Sequence, residues 1–183
     1  TGLKKITIFP GTLFSEPIAE KSDYVVTGFS GGIDSFSLLA DHFFDQPVPG
    51  YQVTHLVYNN VGAHGLNAAA FFNARYEKLK TFASEMGLPF IKIDSNLYEI
   101  VDSDFILTVF PRNVASVLVL QKLFGKYLYA SGYTFDNLID FDIFHRSGYI
   151  APLEYHLLST ESMEVILAGS EYSRVEKTIQ VSQ

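Results

Sequence analysis

One segment constrains this chain more than any other: Ser30-Gly31-Gly32-Ile33-Asp34-Ser35. It follows Tyr24-Val25-Val26-Thr27-Gly28-Phe29, a β-branched and aromatic run that reads as a buried strand. It leads into Ser35-Phe36-Ser37-Leu38-Leu39-Ala40, which reads as a helix. A glycine turn between strand and helix gathers several backbone N–H groups at one point, and the helix start adds partial positive charge there. Such a turn is an anion site. Gly31 and Gly32 let a phosphate approach the backbone with no Cβ in its way, while Ser30 and Ser35 add hydroxyl donors. Two other phosphate loops are excluded, because neither G-x-x-x-x-G-K-[ST] nor G-x-G-x-x-G occurs anywhere.

The strand–turn–helix order then recurs. His55-Leu56-Val57-Tyr58 reads as a second strand, followed by a loop with Gly62 and Gly65. Residues 67–86 have helical spacing with Phe71, Tyr76, Leu79 and Phe82 on one side, and Gly87 and Pro89 end that helix. Phe90-Ile91-Lys92-Ile93 is a third strand, and Tyr127-Leu128-Tyr129-Ala130 a fourth. Between them the spacing predicts a helix over residues 112–124, opened by Pro111-Arg112-Asn113 and stopped by Gly125. Residues 159–169 are expected to be helical, since Ser159 or Thr160 can cap and Glu161 and Glu164 suit a first turn; the Val165-Ile166-Leu167 centre reads equally as strand. Residues 1–23 form a prelude containing the strand-like Ile6-Thr7-Ile8-Phe9. Alternating strands and helices imply an α/β fold, a parallel sheet covered on both faces, with ligands at the carboxyl ends of the strands near the topological switch point. No repeat, low-complexity segment or long linker divides residues 1–183, so a single domain is expected. The abrupt ends at Thr1 and Gln183 suit a piece of a larger enzyme.

Ser-Gly-Gly-x-Asp-Ser after a buried strand resembles the PP-loop of the N-type ATP pyrophosphatases. These include the synthetase domains of asparagine, GMP and NAD synthesis and the tRNA-lysidine and deazaguanine enzymes. The resemblance extends to Ala130-Ser131-Gly132-Tyr133-Thr134-Phe135-Asp136-Asn137, similar to the family's second site segment, with Tyr133 where relatives carry His and Asn137 where they carry an Asp. It extends to Arg112 before strand four and to the Pro-Leu step in Ala151-Pro152-Leu153, although the Lys that relatives often carry after that step is missing. It covers roughly residues 24–175, and the first motif is its strongest part.

The resemblance implies a Rossmann-like, adenine nucleotide alpha hydrolase-like three-layer sandwich around about five parallel strands. It implies ATP and Mg²⁺, adenylation of a substrate with release of pyrophosphate, and transfer to a nitrogen nucleophile with release of AMP. Ser30, Gly31, Gly32 and Ser35 would hold the pyrophosphate. Phe29, Tyr58, Asn59, Ser131 and Gly132 would bind the rest of the nucleotide. Asp34 is either a Mg²⁺ ligand or a helix-start acid. Asn59-Asn60 also reads as plain turn chemistry. Arg174 and Lys177 are either a phosphate clamp or a solvated helix face paired through Glu176, and Arg112 stands on similar footing. His64, Tyr133 and Asp136 are candidate substrate contacts, with a plain loop histidine the competing reading of His64. Asp94 and Asn96, after strand three, face the same edge. His42, His55, His145 and His156 lack metal-ligand spacing.

Composition narrows the acceptor. The chain has no cysteine, which removes disulfides, thiolate zinc sites, a Cys nucleophile, and the sulfur-transfer and zinc-bearing branches of the family. A formal charge of −7 argues against a chain whose main task is to hold nucleic acid, though it leaves room for a local basic patch. No apolar run is long enough to cross a bilayer, and a cytoplasmic protein is the default. A C–N-forming synthetase acting on a small molecule is therefore expected. Its ammonia would come from a glutaminase on another chain or domain, and a homodimer is a permitted assembly. A tRNA-modifying enzyme and a non-catalytic ATP or AMP module are the alternatives.

Overall fold

In the computed structural model of the chain, residues 21–45, 47–63, 65, 68–136, 155 and 157–183 are described. The strand-like run at 6–9, His64, Asn137, His145, the Pro-Leu step at 152–153 and His156 lie outside them.

Five strands form one sheet: β1 (Val25–Gly28), β2 (His55–Asn60), β3 (Phe90–Asp94), β4 (Lys126–Ala130) and β5 (Glu164–Ala168), in the order β3-β2-β1-β4-β5. Every pairing is parallel, with Val26 opposite both His55 and Tyr127 in the centre. The order reverses at β1: the chain first builds outward through β2 and β3, then returns to β1's other side to lay down β4 and β5. The carboxyl end of β1 is therefore the switch point, where connections diverge and leave a crevice.

Alternation along the strands builds two cores. Val25, Leu56, Tyr58 and Leu128 face one side and pack with Phe29, Leu38, Leu39, Phe72, Leu79 and Ala83. These last come from β1's end and from helices α1 (Ile33–Leu39) and α2 (Ala69–Glu85). Val26, Val57, Tyr127 and Val165 face the other side and pack with Phe110, Val114 and Val117 of helix α4 (Phe105–Leu118). A parallel sheet buried on both faces needs apolar residues in both registers, so the strands read as continuous runs. A short helix α3 (Leu97–Ile100) precedes α4, and a C-terminal helix α5 (Arg174–Val181) packs against α1.

Three expectations change. Residues 164–168 form strand β5, not part of a helix. β4 would otherwise leave an open edge. The β-branched run fills it once Ser159 Oγ and Thr160 Oγ1 accept from the N–H groups of Val165 and Met163 and turn the chain into the sheet. Helix α4 starts at Phe105 rather than Arg112, because the Asp104 side chain caps it by accepting from Ile106 N. Pro111 lies inside that helix and not at its first position. On α2, Phe72, Leu79 and Ala83 are the buried residues, whereas Phe71 and Phe82 are about half exposed, at 53% and 50%. Leu79 is buried and Tyr76 packs against the core as the spacing predicts, while the two phenylalanine positions shift by one residue, to Phe72 and Ala83.

Candidate active site

The glycine turn sits at the carboxyl end of β1. Phe29 N donates to Val57 O at 2.8 Å, which ties the turn to the neighbouring strand. Gly31 then adopts φ 69°, a left-handed conformation that glycine enters without strain. A Cβ on it would lie 2.5 Å from Leu79 Cδ2, so α2 also packs too closely for a side chain. Gly32 is the extended N-cap of α1, with no side chain capping the helix. Ser35 Oγ donates to Gly32 O at 2.8 Å and braces the turn from within. Ser35 N donates to Gly32 O at 3.1 Å, which leaves the N–H groups of Ile33 and Asp34 at the helix start for an external acceptor.

Asp34, in the first turn of α1, meets the C-terminal helix. Lys177 Nζ lies 3.1 Å from Asp34 Oδ1 and also donates to the carbonyl of Ser131 beyond β4. Lys177 is 2% exposed and the Asp34 side chain 30%. One ammonium therefore joins the glycine turn, the segment after β4 and α5. Helix α5 is held in register by a capping box at Ser173 and Glu176. It is docked on α1 through Gln180, which accepts from Ser37 Oγ and donates to Asp41 Oδ1, each at 2.6 Å. Burial, as the larger cause, holds the Asp41 carboxyl above its ordinary range, against the Gln180 hydrogen bond, which lowers it.

Two cavities open on either side of Asp34. The first, of about 400 Å³, lies over β1, β2 and β4 and is lined by Phe29, Ser30, Ser35, Tyr58 and Asn59 together with Asp34. The second, of about 310 Å³, has an apolar wall of Phe105, Ile106, Val109 and Phe110 from α4, facing Ser131, Gly132 and Tyr133. Tyr129 borders both. Its phenol is pushed up to about 12 by burial and by the nearby Asp34 charge, so it stands between them as a neutral hydroxyl at ordinary pH.

The predicted residues therefore fall into groups. Phe29, Ser30, Asp34, Ser35, Tyr58 and Asn59 converge on the first cavity, and Ser131, Gly132 and Tyr133 on the second. Lys177 joins them from behind Asp34. Arg174, at the first position of α5, is exposed, as is Asp136. Asp94 and Asn96 line a separate hollow at the β3 edge. Arg112 is not drawn to the crevice. Its guanidinium, 3% exposed, donates to Thr108 Oγ1 and to the carbonyls of Val61, Val101 and Ser103. Extending α4 upstream turns this side chain into the brace of the loops after β2 and α3.

Two residues of the first cavity were missed from sequence. Arg75 of α2 reaches back to the glycine turn, donating to Ser30 O from Nη2 at 2.8 Å and Nε at 3.3 Å. Asn113 occupies the α4 position that faces the cavity beside Asn59. The signal for Asn113 was one residue away, in the Pro-Arg-Asn run; Arg75 had none, because only the packing of α2 against β2, β3 and the glycine turn brings it there. Among the described residues no three His, Asp or Glu side chains come together as a metal cage. Among the described residues, Asp34 is the carboxylate that lines both cavities.

No protein-family model and no curated protein matches the sequence. The fold is similar to that of the U34-tRNA thiolase NcsA from Methanococcus maripaludis, determined with its [4Fe-4S] cluster, at a TM-score of 0.55 and 17% identity. The likeness covers 88% of this chain and 57% of the thiolase chain, so this chain spans little more than half of that protein. The architecture is thus an adenine nucleotide alpha hydrolase-like α/β fold with five parallel strands in the order β3-β2-β1-β4-β5.

Proposed function

We propose that this chain is an ATP-using domain of the PP-loop type that cleaves ATP between its α and β phosphates. The observation that carries the reading is the uncapped start of α1, with Asp34 and the buried Lys177 beside it, at the floor of a 400 Å³ cavity. In-line transfer of this kind asks the protein for positioning and charge neutralisation rather than covalent chemistry.

In this reading the base and ribose lie in the first cavity along Tyr58 and Asn59, and the β and γ phosphates rest on the backbone of Gly31 to Ser35. An acceptor oxygen, approaching from the second cavity, attacks the α-phosphorus. The bond to the bridging oxygen breaks and pyrophosphate leaves with the bond's electron pair. A nitrogen nucleophile then displaces AMP. Arg75 holds the turn by its Ser30 carbonyl, and Lys177 fixes the direction of Asp34. Mg²⁺, held by the phosphates and Asp34, would supply charge neutralisation on the leaving group.

Two acceptors have support. The formal charge of −7 favours a small molecule. The likeness to a tRNA thiolase favours an RNA acceptor. A [4Fe-4S] cluster is ordinarily held by cysteine thiolates. These 183 residues contain none, so an RNA reaction built from this chain's own side chains would not be cluster-dependent. The test is incubation with ATP and Mg²⁺, adding either candidate acids with ammonia or unmodified tRNA. AMP and pyrophosphate are the expected products, and whichever addition accelerates their release identifies the acceptor class. ADP and phosphate as sole products would sink the proposal. Asp34→Asn should cut AMP formation by about 10²-fold or more while the fold persists; unchanged turnover would return Asp34 to a helix-start role.

A further inference from the structure

The first cavity contains two side-chain amides whose directions are settled by a helix carbonyl. Asn113 Nδ2 donates to Val109 O at 2.8 Å. A backbone carbonyl only accepts, so the Asn113 amide nitrogen must face Val109 and its oxygen must face the other way. That oxygen accepts from Asn59 Nδ2 at 3.3 Å. Asn59 is therefore directed too: its nitrogen points to Asn113, the partner of its amide among the described residues, and its Oδ1 is turned away from it. Oδ1 is buried and, among the described residues, has no hydrogen-bond partner. Native proteins rarely leave such an acceptor orphaned, and a ligand donor is one way to satisfy it.

We infer that Asn59, directed by Asn113, reads a hydrogen-bond donor on the nucleotide, and that this donor is the exocyclic amino group of a 6-aminopurine. The inference rests on the first cavity being the nucleotide site. Two features favour the base over the ribose, and a third selects among bases. The cavity near Asn59 is walled by Val57, Tyr58, Val61 and Ala63, an apolar surround suited to a flat ring. Asn59 lies on β2, whereas the anion-binding turn is at the end of β1. The relay also ends in an acceptor, which a 6-oxo purine meets with an acceptor of its own. Asn59 and Asn113 thus form a two-residue device that excludes guanine- and hypoxanthine-type bases by leaving two oxygens face to face.

The test is calorimetric binding of four triphosphates with Mg²⁺: ATP, inosine triphosphate, purine riboside triphosphate and 2′-deoxy-ATP. Inosine triphosphate carries oxygen at position 6, and purine riboside triphosphate carries hydrogen there. ATP and 2′-deoxy-ATP should bind alike and about tenfold or more tighter than the other two. Asn59→Leu should bring all four within about twofold of one another by weakening the amino-purines selectively. Asn113→Leu should also reduce the preference, because it frees the Asn59 amide to rotate. Equal binding of ATP and inosine triphosphate by the unaltered protein would overturn the amide inference and leave the ATP reading standing. Loss of affinity for 2′-deoxy-ATP alone would overturn it in favour of the ribose. Binding of none of the four would overturn the nucleotide site itself, and this inference with it.

Discussion

Lys177→Met isolates the contact that ties the C-terminal helix to the glycine turn. Methionine keeps most of the buried stem, so packing of α5 on α1 is largely retained and the ammonium is what disappears. Breaking a fully buried ion pair by removing one partner costs about 3–5 kcal/mol. Here Lys177 is 2% exposed but the Asp34 side chain is 30% exposed toward the cavity, so water re-solvates part of the abandoned carboxylate. The Ser131 carbonyl loses its donor in a residue only 3% exposed. That adds a share of the roughly 1–3 kcal/mol cost of an unsatisfied buried acceptor. Discounting the ion pair for solvent and keeping the carbonyl, the expected loss is about 2–3 kcal/mol. For a chain of this length that lowers the melting temperature by about 4–12 °C. Urea unfolding of the parent, Lys177→Met, Asp34→Asn and the double variant forms a cycle, and its coupling should be about 1–2 kcal/mol. A loss within about 0.5 kcal/mol of zero for Lys177→Met, or additive single changes, would refute the claim that this ammonium joins the three segments.

Three further outcomes follow from the same geometry. Gly31→Ala should destabilise by about 1–3 kcal/mol, from the left-handed backbone and the displaced Leu79. Gly32→Ala, at an extended backbone where a Cβ would meet only the Ser30 Oγ at 3.4 Å, should cost about 0.5 kcal/mol or less, and chemical denaturation distinguishes the two. Arg75→Ala should weaken ATP binding several-fold while stability changes by about 1 kcal/mol or less. Arg75→Lys should not restore affinity, since one ammonium cannot make the forked contact with Ser30 O. His55, whose ring sits 5.0 Å from those of both Tyr24 and Phe124, has its pKa lowered by burial from the ordinary 6.5. The unfolded chain then binds the proton more readily, so the histidine's contribution to stability is whole above 6.5 and is lost as pH falls through 6.5 toward the lower folded value. His55→Phe should flatten the stability–pH slope between about pH 7 and 5, and an unchanged slope would remove His55 as its source.

How much was legible in advance differed by element. Strands β1, β2 and β4 were readable because the inner strands of a parallel sheet buried on both faces demand near-continuous apolar runs, and the edge strand β3 was readable from Phe90, Ile91 and Ile93, although Lys92 and Asp94 are exposed. β5 was not, because five residues carry no helical or strand period of their own and Glu161 and Glu164 imitate a helix start. What decided it was the vacant edge of β4. Helix α4 misled in the opposite sense. Proline is common at a helix's first turn, so Pro111 looked like a beginning, yet the Asp104 cap and the packing of Phe110 against the sheet carried the helix two turns further back.

The sequence by itself determined the glycine turn: its chemistry is local, since backbone N–H groups at a helix start bind an anion wherever the helix goes. It also determined that Asp34 would stand in that first turn. What stands opposite that aspartate was a matter for the tertiary structure. Lys177 is 143 residues away in sequence, and a pairing so distant leaves no spacing to read. The same holds for Arg75, Asn113 and the turning away of Arg112, each set by the face a helix presents after docking on the sheet. Hydrogen bonds within one turn are written in consecutive residues; those between elements exist only once the sheet order has brought β1, β2 and β4 together.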